Sequence, residues 1–135
     1  MEAVNTFENG AFLLYRTDDA ARFVASVGAA NVKLQHDFYH MQRMEGNLEV
    51  TLRRHIGQIG HVQVADSPGR GEPGTGEIHY PYLFGVLEEL GYDGYVGPGV
   101  QPHDREDGGQ LRVDPRRSAR RRRESRGSQA LEGGF

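Results

Sequence analysis

Two hydrophobic periodicities alternate along the first 97 residues of the chain. Short segments with alternating or continuous apolar residues predict β-strands, and apolar residues three and four positions apart predict helices. Strands are predicted over 1–5, 32–37, 61–65 and 95–97, and helices over 17–28, 38–44, 80–90 and from Leu48 to Gly57 or Gly60. Thr17 is expected to cap the first helix and Gly28 to end it. Strands and helices in this order are typical of parallel βαβ units in an α/β fold.

Four parallel strands amount to half of a closed barrel. A (β/α)8 barrel needs eight strands and about 250 residues, whereas the patterned part of this 135-residue chain contains four predicted strands. The sequence therefore predicts one half of a larger α/β architecture.

The composition changes near Gly97. Residues 1–97 contain seven Lys and Arg against 13 Asp and Glu, whereas residues 98–135 contain nine Arg against six Asp and Glu and almost no large apolar residues. This contrast predicts a folded unit over 1–97 and a disordered Arg- and Gly-rich tail over 98–135. The arginine run at 120–123 would suit a nucleic-acid-binding tail, but no aromatic residues are interleaved there, so nucleic acid is not an expected partner.

The absence of cysteine and of long apolar runs excludes several classes of protein. The chain has no cysteine, which excludes a disulfide framework and thiol chemistry. No apolar run is long enough to span a membrane, and no signal-peptide pattern opens the chain. We therefore expect a cytoplasmic protein with no membrane partner.

A long polar loop follows the third predicted strand. Over that strand, Val62 and Val64 point to one face, and Gln63 points to the other. The loop is rich in Gly and Pro and carries four charged residues, Asp66, Arg70, Glu72 and Glu77. Polar loops that leave strand ends build the active sites of α/β barrels, so this loop is a candidate part of a site.

Ordered motifs along 1–97 resemble the C-terminal half of the hydroxypyruvate isomerase family, within the xylose-isomerase-like barrel superfamily. The motifs are Glu2-Ala-Val-Asn-Thr, Lys33-Leu-Gln-His-Asp-Phe-Tyr-His40, Gly60-His-Val-Gln-Val-Ala65, Pro68-Gly-Arg70, Tyr80-Pro-Tyr-Leu-Phe84 and Leu90-Gly-Tyr-Asp-Gly-Tyr95. The resemblance implies that the four strands are the last four of a (β/α)8 TIM barrel.

The resemblance also implies a reaction and a set of site residues. Members of this family interconvert hydroxypyruvate and tartronate semialdehyde by metal-assisted proton transfer through an enediolate. By motif match, Glu2 is the catalytic carboxylate, and Glu2, Asp37 and Gln63 bind a divalent metal, Mg²⁺ or Mn²⁺. His40 and Arg70 fall where the superfamily contacts the substrate, a small hydroxy-oxo acid. No organic cofactor is implied, and 2-oxo-tetronate isomerase or ketose epimerase activity are alternatives.

Each of these residues also has a structural interpretation. Asp37 would be a common choice to cap the helix that follows it. Gln63 would fill a barrel interior, and Arg70 would lie on a solvated loop. For these three the motif context favours the functional interpretation.

The chain departs from the family pattern at Gly99. The family places its second metal-binding Glu here, within a Glu-Tyr sequence that continues to a Pro and a Gly-Arg-Thr motif. With suitable codons for 99–114, reading the same bases one position later gives Glu-Tyr-Asn-Pro-Thr-Thr-Gly-Arg-Thr, so a frame slip would explain the tail. From the resemblance we expect the chain as written to be a truncated fragment with impaired isomerase activity, which would need a complementing N-terminal half or an oligomer. The alternative is a non-catalytic remnant or interaction protein with a basic tail.

Overall fold

A parallel sheet lies at the centre of the protein. The computed structural model describes residues 1–101 and 111–112. Strands β1 (Leu34–Asp37), β2 (Ile59–Val64) and β3 (Tyr95–Pro98) pair in parallel in that order, and β4 (Leu111–Arg112) pairs antiparallel with β3. The helices are α1 (Thr6–Asn9), α2 (Thr17–Val27), α3 (Phe38–Met44), α4 (Leu48–His55) and α5 (Tyr80–Glu89), with a 3₁₀ turn at Ile56–Gln58. The predicted alternation of parallel strands with helices is confirmed from β1 to β3.

The first five residues form less regular structure than predicted. Instead of a full strand, they make a single parallel bridge, between Glu2 and Gln35. The backbone N–H of Gln35 donates to the Met1 carbonyl at 2.7 Å. The short helix α1 follows at once, because the Asn5 side chain accepts a hydrogen bond from the backbone N–H of Glu8 and caps it. The segment therefore lies beside β1, as a first strand would, but is too short to form a ladder.

The C-terminal end of α2 was predicted correctly, and its N-terminal end was not. Gly28 ends the helix in the left-handed conformation, with φ of 68°, as predicted. Thr17 is not the cap, because the helix begins at Thr17 and Arg16 occupies the capping position. The Thr17 backbone N–H and hydroxyl instead donate to the Glu45 carboxylate at 3.2 and 2.5 Å. A partner 28 positions away thus replaces the local cap.

The sheet has an apolar face and a polar face. Neighbouring strands place His36, Val62 and Val96 in one row and Asp37, Gln63 and Gly97 in the next. Because successive strand residues point to opposite faces, these rows face opposite ways. Val62, Val64 and Val96 belong to the apolar core, as do residues of α2, α3, α4 and α5. The polar face carries the candidate functional residues.

The tail lies mostly outside the described residues. Strand β3 continues to Pro98, one residue past the predicted boundary, and the sequence did not predict β4. The predicted disorder over 102–110 and 113–135, including the arginine run, falls on residues that the structure does not describe, as does most of the stretch of the proposed frame slip. None of the helices in the described part of the chain is long and apolar enough to cross a membrane.

Buried His36 should make the stability of the fold depend on pH. Its ring is 2% exposed and packs edge-on against Phe38, with 5.5 Å between ring centroids. Burial disfavours the imidazolium and lowers the pKa of His36 to about 4. The unfolded chain therefore binds this proton more tightly, so stability is complete above the unfolded pKa of about 6.5 and falls as the pH drops toward 4.

Between pH 8 and pH 5, we expect His36 to remove about 2 kcal/mol from the free energy of unfolding. Denaturant titrations of the full chain at both pH values, with EDTA present, measure this loss. His36→Gln should lose correspondingly less than the wild-type chain, whereas His79→Gln, at an exposed histidine, should match the wild type. Equal losses in the wild type and His36→Gln would show that His36 is not the titrating group.

Candidate functional site

Asp37 has two carboxylate oxygens with different surroundings. It is the last residue of β1 and the cap of α3, and its Oδ1 accepts the backbone N–H groups of Tyr39 at 2.7 Å and His40 at 3.3 Å. The side chain is fully buried, and its Oδ2 has no hydrogen-bond partner. The capping interpretation of Asp37 is therefore correct for one oxygen, and the other oxygen is left for another ligand.

Glu2 and His40 converge on that free oxygen. His40 Nε2 lies 3.9 Å from Asp37 Oδ2 and 4.0 Å from Glu2 Oε1. Among the His, Cys, Asp and Glu side chains of 1–101, Glu2, Asp37 and His40 form a group whose ligand atoms all lie within 4.8 Å of one another. The structure thus brings the predicted catalytic carboxylate, a predicted metal ligand and a predicted substrate contact together.

The pKa values of this group are shifted by burial and by the neighbouring charges. Burial, and then the neighbouring charge of Asp37, raises the pKa of Glu2. Burial also raises the pKa of Asp37, and burial lowers the pKa of His40. All three shifts oppose the charged forms. A divalent cation would relieve the repulsion between the carboxylates, and a raised pKa suits a carboxylate that gives and takes protons.

Gln63 lies beside the group and is bonded to a residue that the sequence analysis missed. It pairs with Asp37 across β1 and β2, and its Oε1 accepts a hydrogen bond from Gln35 Nε2 at 2.8 Å. The Gln35 side chain also acts on Glu2, whose pKa it lowers against the larger opposing effect of burial. It lies two residues before Asp37 on the same face of β1, a spacing that could have identified it. Gln35 thus links two predicted ligands from neighbouring strands.

Gly99 occupies the edge of the same group. A Cβ atom at this position would lie 3.0 Å from Asp37 Oδ2 and 3.5 Å from Gln63 Cδ. The Gly99 N–H donates to the Val64 carbonyl at 2.8 Å, which holds the backbone against the end of β2. A longer side chain at position 99 would therefore start next to the free Asp37 oxygen, where the resemblance places the second Glu.

Arg70 reaches the group from the loop after β2. Its backbone has φ of 54°, in the left-handed region, and its Nε donates to the Gly99 carbonyl at 3.0 Å. Its guanidinium lies 5.3 Å from the centre of the Tyr39 ring, and its Nη2 is 3.4 Å from His40 Nε2. Arg70 does lie on a largely exposed loop, as the structural interpretation expected, but its half-buried side chain also contacts the group. Tyr39, which the sequence analysis did not identify, stacks on its guanidinium.

Asp66 organises that loop. Its side chain accepts backbone N–H groups from Gly74 at 2.7 Å and from Ser67 and Ile78 at 3.0 Å. Burial by itself would raise the pKa of Asp66, but these donors and the N–H of Gly76 hold it below its ordinary value. An ionised carboxylate thus ties both ends of the loop to the end of β2, and so holds the segment that carries Arg70.

Comparison with known proteins places the chain in one protein family. A family model described as the xylose isomerase-like TIM barrel matches residues 1–123. The chain is 46% identical over 117 residues to the hydroxypyruvate isomerase of Escherichia coli (strain K12), covering 87% of this chain and 45% of that protein. It is 46% identical over 102 residues to the 2-oxo-tetronate isomerase of Cupriavidus necator, covering 76% of this chain and 39% of that protein. The chain thus spans less than half the length of these relatives.

Solved structures give the same fold. A structure described as an AP endonuclease, family 2, from Brucella melitensis matches with a TM-score of 0.74 and 39% identity, covering 77% of this chain and 40% of that one. The 3-keto-D-glucoside 4-epimerase of E. coli matches with a TM-score of 0.66 and 29% identity, covering 89% of this chain and 41% of that one.

Removing the charge of Asp66 should loosen the loop that carries Arg70. In Asp66→Asn, an amide with a single acceptor oxygen replaces a carboxylate that accepts several backbone donors. We expect the amides of Gly74 and Ile78 to exchange with deuterium roughly tenfold faster or more at neutral pH, a loss of about 1.4 kcal/mol in local opening free energy. Asp93→Asn makes the same change at an exposed residue and should leave these rates unaltered. Unchanged exchange in Asp66→Asn would show that Asp66 does not hold the loop.

Proposed function

This chain belongs to the xylose isomerase-like TIM barrel family, and from that premise we propose that it carries the metal-binding and proton-transfer groups of a hydroxypyruvate-isomerase-like enzyme. The family match and the isomerase relatives confirm the resemblance found in the sequence and the predicted fold, a fragment of an α/β TIM barrel. The reaction, the metal and the roles of individual residues are proposals that rest on the site.

The observation that carries the proposal is the buried, unpartnered Oδ2 of Asp37 beside a second carboxylate. A buried charged oxygen without a hydrogen bond is unfavourable unless a cation neutralises it. Glu2 lies across from it and has a raised pKa, as expected where two like charges share a dry site. The donor set therefore fits a divalent cation.

We propose Glu2, Asp37 and Gln63 as its ligands. All three offer oxygen atoms, which Mg²⁺ and Mn²⁺ prefer, and waters would complete the shell. Gln63 Oε1 has a second lone pair beyond the one that accepts the Gln35 amide. Only Glu2 and Asp37 bring charge, so binding by the chain as written should be weak.

The chemistry assigned to the chain is proton transfer between neighbouring carbons of a small hydroxy-oxo acid. Glu2 would remove the proton from the hydroxyl-bearing carbon, a second carboxylate would supply a proton to the adjacent carbon, and the hydroxyl proton would move to the neighbouring oxygen. The raised pKa of Glu2 suits it to this exchange. His40 and Arg70 would hold the substrate oxygens with N–H groups. When bound, the divalent cation would supply Lewis-acid polarisation of the substrate oxygens.

In this proposal hydroxypyruvate is the preferred substrate and 2-oxo-tetronate is the alternative. The two relatives are named as isomerases of these compounds. Ketose epimerisation is a further alternative, favoured by the likeness to the E. coli epimerase structure. All three reactions need the same carboxylate and the same bound oxygens, so substrate trials and not the site's geometry separate them.

Gly99 limits what this chain does alone. The position next to Asp37 Oδ2 has no side chain, so the second carboxylate of the proposed reaction is missing. Loss of an acid–base partner typically lowers the rate about 10²–10⁴-fold. We therefore propose impaired activity for the chain as written, with a complementing N-terminal half or an oligomer as its partner. A non-catalytic remnant is the second candidate, and the absent side chain at Gly99 is the observation that favours it.

A carboxylate at position 99 should strengthen metal binding. In Gly99→Glu, a third charged oxygen ligand starts next to Asp37 Oδ2, so the Mn²⁺ affinity should rise roughly tenfold or more, because ligand charge sets affinity in such sites. Electron paramagnetic resonance of free Mn²⁺ measures this directly.

Two control variants separate metal binding by the new carboxylate from the effects of the added Cβ atom and of the added charge. Gly99→Ala adds the Cβ atom without the carboxylate, and Gly57→Glu adds the carboxylate at an exposed, open position. Both should bind Mn²⁺ no more tightly than the wild-type chain. If Gly57→Glu gained as much affinity as Gly99→Glu, the proposed site would be wrong.

Isomerase activity should require both the second carboxylate and the rest of the barrel. Gly99→Glu supplied with the N-terminal half of the E. coli relative should convert hydroxypyruvate at least 100-fold faster than the unmodified chain with the same half. A coupled assay for tartronate semialdehyde measures this. Glu2→Gln or EDTA should abolish the gain.

Turnover that survives both Glu2→Gln and removal of the metal would refute the assigned roles. If Gly99→Glu combined with the N-terminal half turned over none of the three substrate classes, the result would favour the non-catalytic remnant.

A further inference from the structure

The two ring nitrogens of His40 face opposite kinds of neighbour. Nδ1 lies 2.7 Å from the side-chain amide nitrogen of Asn5 and 3.4 Å from the Asn5 backbone nitrogen. Nε2 faces the proposed metal site, where Asp37 Oδ2, Glu2 Oε1 and Arg70 Nη2 lie 3.9, 4.0 and 3.4 Å away. A neutral imidazole carries one proton, so one nitrogen donates and the other accepts.

The orientation of the Asn5 amide is fixed by α1. Asn5 Oδ1 accepts the backbone N–H of Glu8 at 3.1 Å as the helix cap, which leaves the NH₂ group to face His40. The same NH₂ group also lies 3.3 Å from Glu8 Oε2. Turning the amide over would place its NH₂ group against the Glu8 N–H and its oxygen against Nδ1. The capping bond therefore decides which atom of Asn5 reaches the ring.

We propose that Asn5 is a positioning residue that holds neutral His40 in the tautomer with its proton on Nε2. Two N–H groups of Asn5 point at Nδ1, and the amide contact of 2.7 Å is the shortest that either ring nitrogen makes. A proton on Nδ1 would oppose both. On the other side, the competing donor within residues 1–101 is Arg70, which lies 3.4 Å from Nε2 and already donates through its Nε to the Gly99 carbonyl.

This tautomer assigns His40 a role in the site. A nitrogen that carries a proton cannot bind a metal ion, so His40 is excluded as a ligand although its Nε2 lies within 4.8 Å of the Glu2 and Asp37 ligand atoms. The Nε2–H group instead presents a hydrogen-bond donor to an oxygen of the substrate. The role deepens the proposed function and rests on it, whereas the tautomer itself does not.

The test reads the tautomer without metal or substrate. Long-range ¹H–¹⁵N correlation spectra of the ¹⁵N-histidine-labelled full chain, recorded in EDTA at pH 8, distinguish protonated from unprotonated ring nitrogens. The His40 signals are assigned by their loss in His40→Gln. In the wild type, we expect Nδ1 in the unprotonated range and Nε2 in the protonated range.

Two variants of Asn5 keep the helix cap and remove the amide donor. Asp is as good a cap as Asn, so Asn5→Asp places a carboxylate against Nδ1 and should move the proton there, inverting the pattern. Asn5→Ser also keeps a capping oxygen but does not donate an amide, and should give averaged signals from both tautomers. Asn31→Asp makes the same change at an exposed residue away from the pair and should retain the wild-type pattern.

A proton on Nδ1 of wild-type His40 would overturn the proposal, as would a pattern unchanged in both Asn5→Asp and Asn5→Ser. If one of these variants fails to fold, the other and the wild-type pattern still decide. Because the spectra need no turnover, a correct tautomer in an inactive protein would count against the proposed function and not against the role of Asn5.

Discussion

The site depends on the way the Asp37 carboxylate is divided between two tasks. One oxygen caps α3 and so fixes the side chain at the end of β1, while the other is buried without a hydrogen bond. A carboxylate in that position is unfavourable, so either its pKa rises and it takes up a proton, or a cation binds it. The raised pKa of Glu2 and the lowered pKa of His40 follow from the same dry, crowded edge of the sheet. The proposed chemistry is therefore set by one strand–helix junction.

Backbone contacts bring the remaining groups to that junction. The N–H of Gly99 is held by the end of β2, and its carbonyl receives the guanidinium of Arg70. Asp66 in turn ties down the loop that carries Arg70. The architecture around position 99 therefore does not require a side chain there. This explains how the fold keeps Arg70 and its neighbours in place without a side chain at position 99.

Local signals in the sequence were sufficient for most elements, whereas the candidate site residues came from the motif resemblance. Gly28 ends α2, and Asp37 stands where β1 meets α3, because periodicity, capping and turn chemistry act over a few residues. Contacts between distant positions carry no such signal. Asn5 reaches His40 across 35 positions, Arg70 reaches Gly99 across 29, and Thr17 prefers Glu45 to its own helix end. The first segment was also misjudged, because five residues with one bridge cannot show a strand's periodicity.

In the proposed site, the strand ends hold a divalent cation through oxygen atoms of Glu2, Asp37 and Gln63. Anomalous diffraction from a crystal of the full chain soaked in Mn²⁺, recorded near the manganese absorption edge, tests it most directly. We expect a peak about 2 Å from Glu2 and Asp37 oxygens, with Gln63 Oε1 in the same coordination shell. A peak bonded to His40 Nε2, or Mn²⁺ bound only elsewhere on the protein, would contradict it.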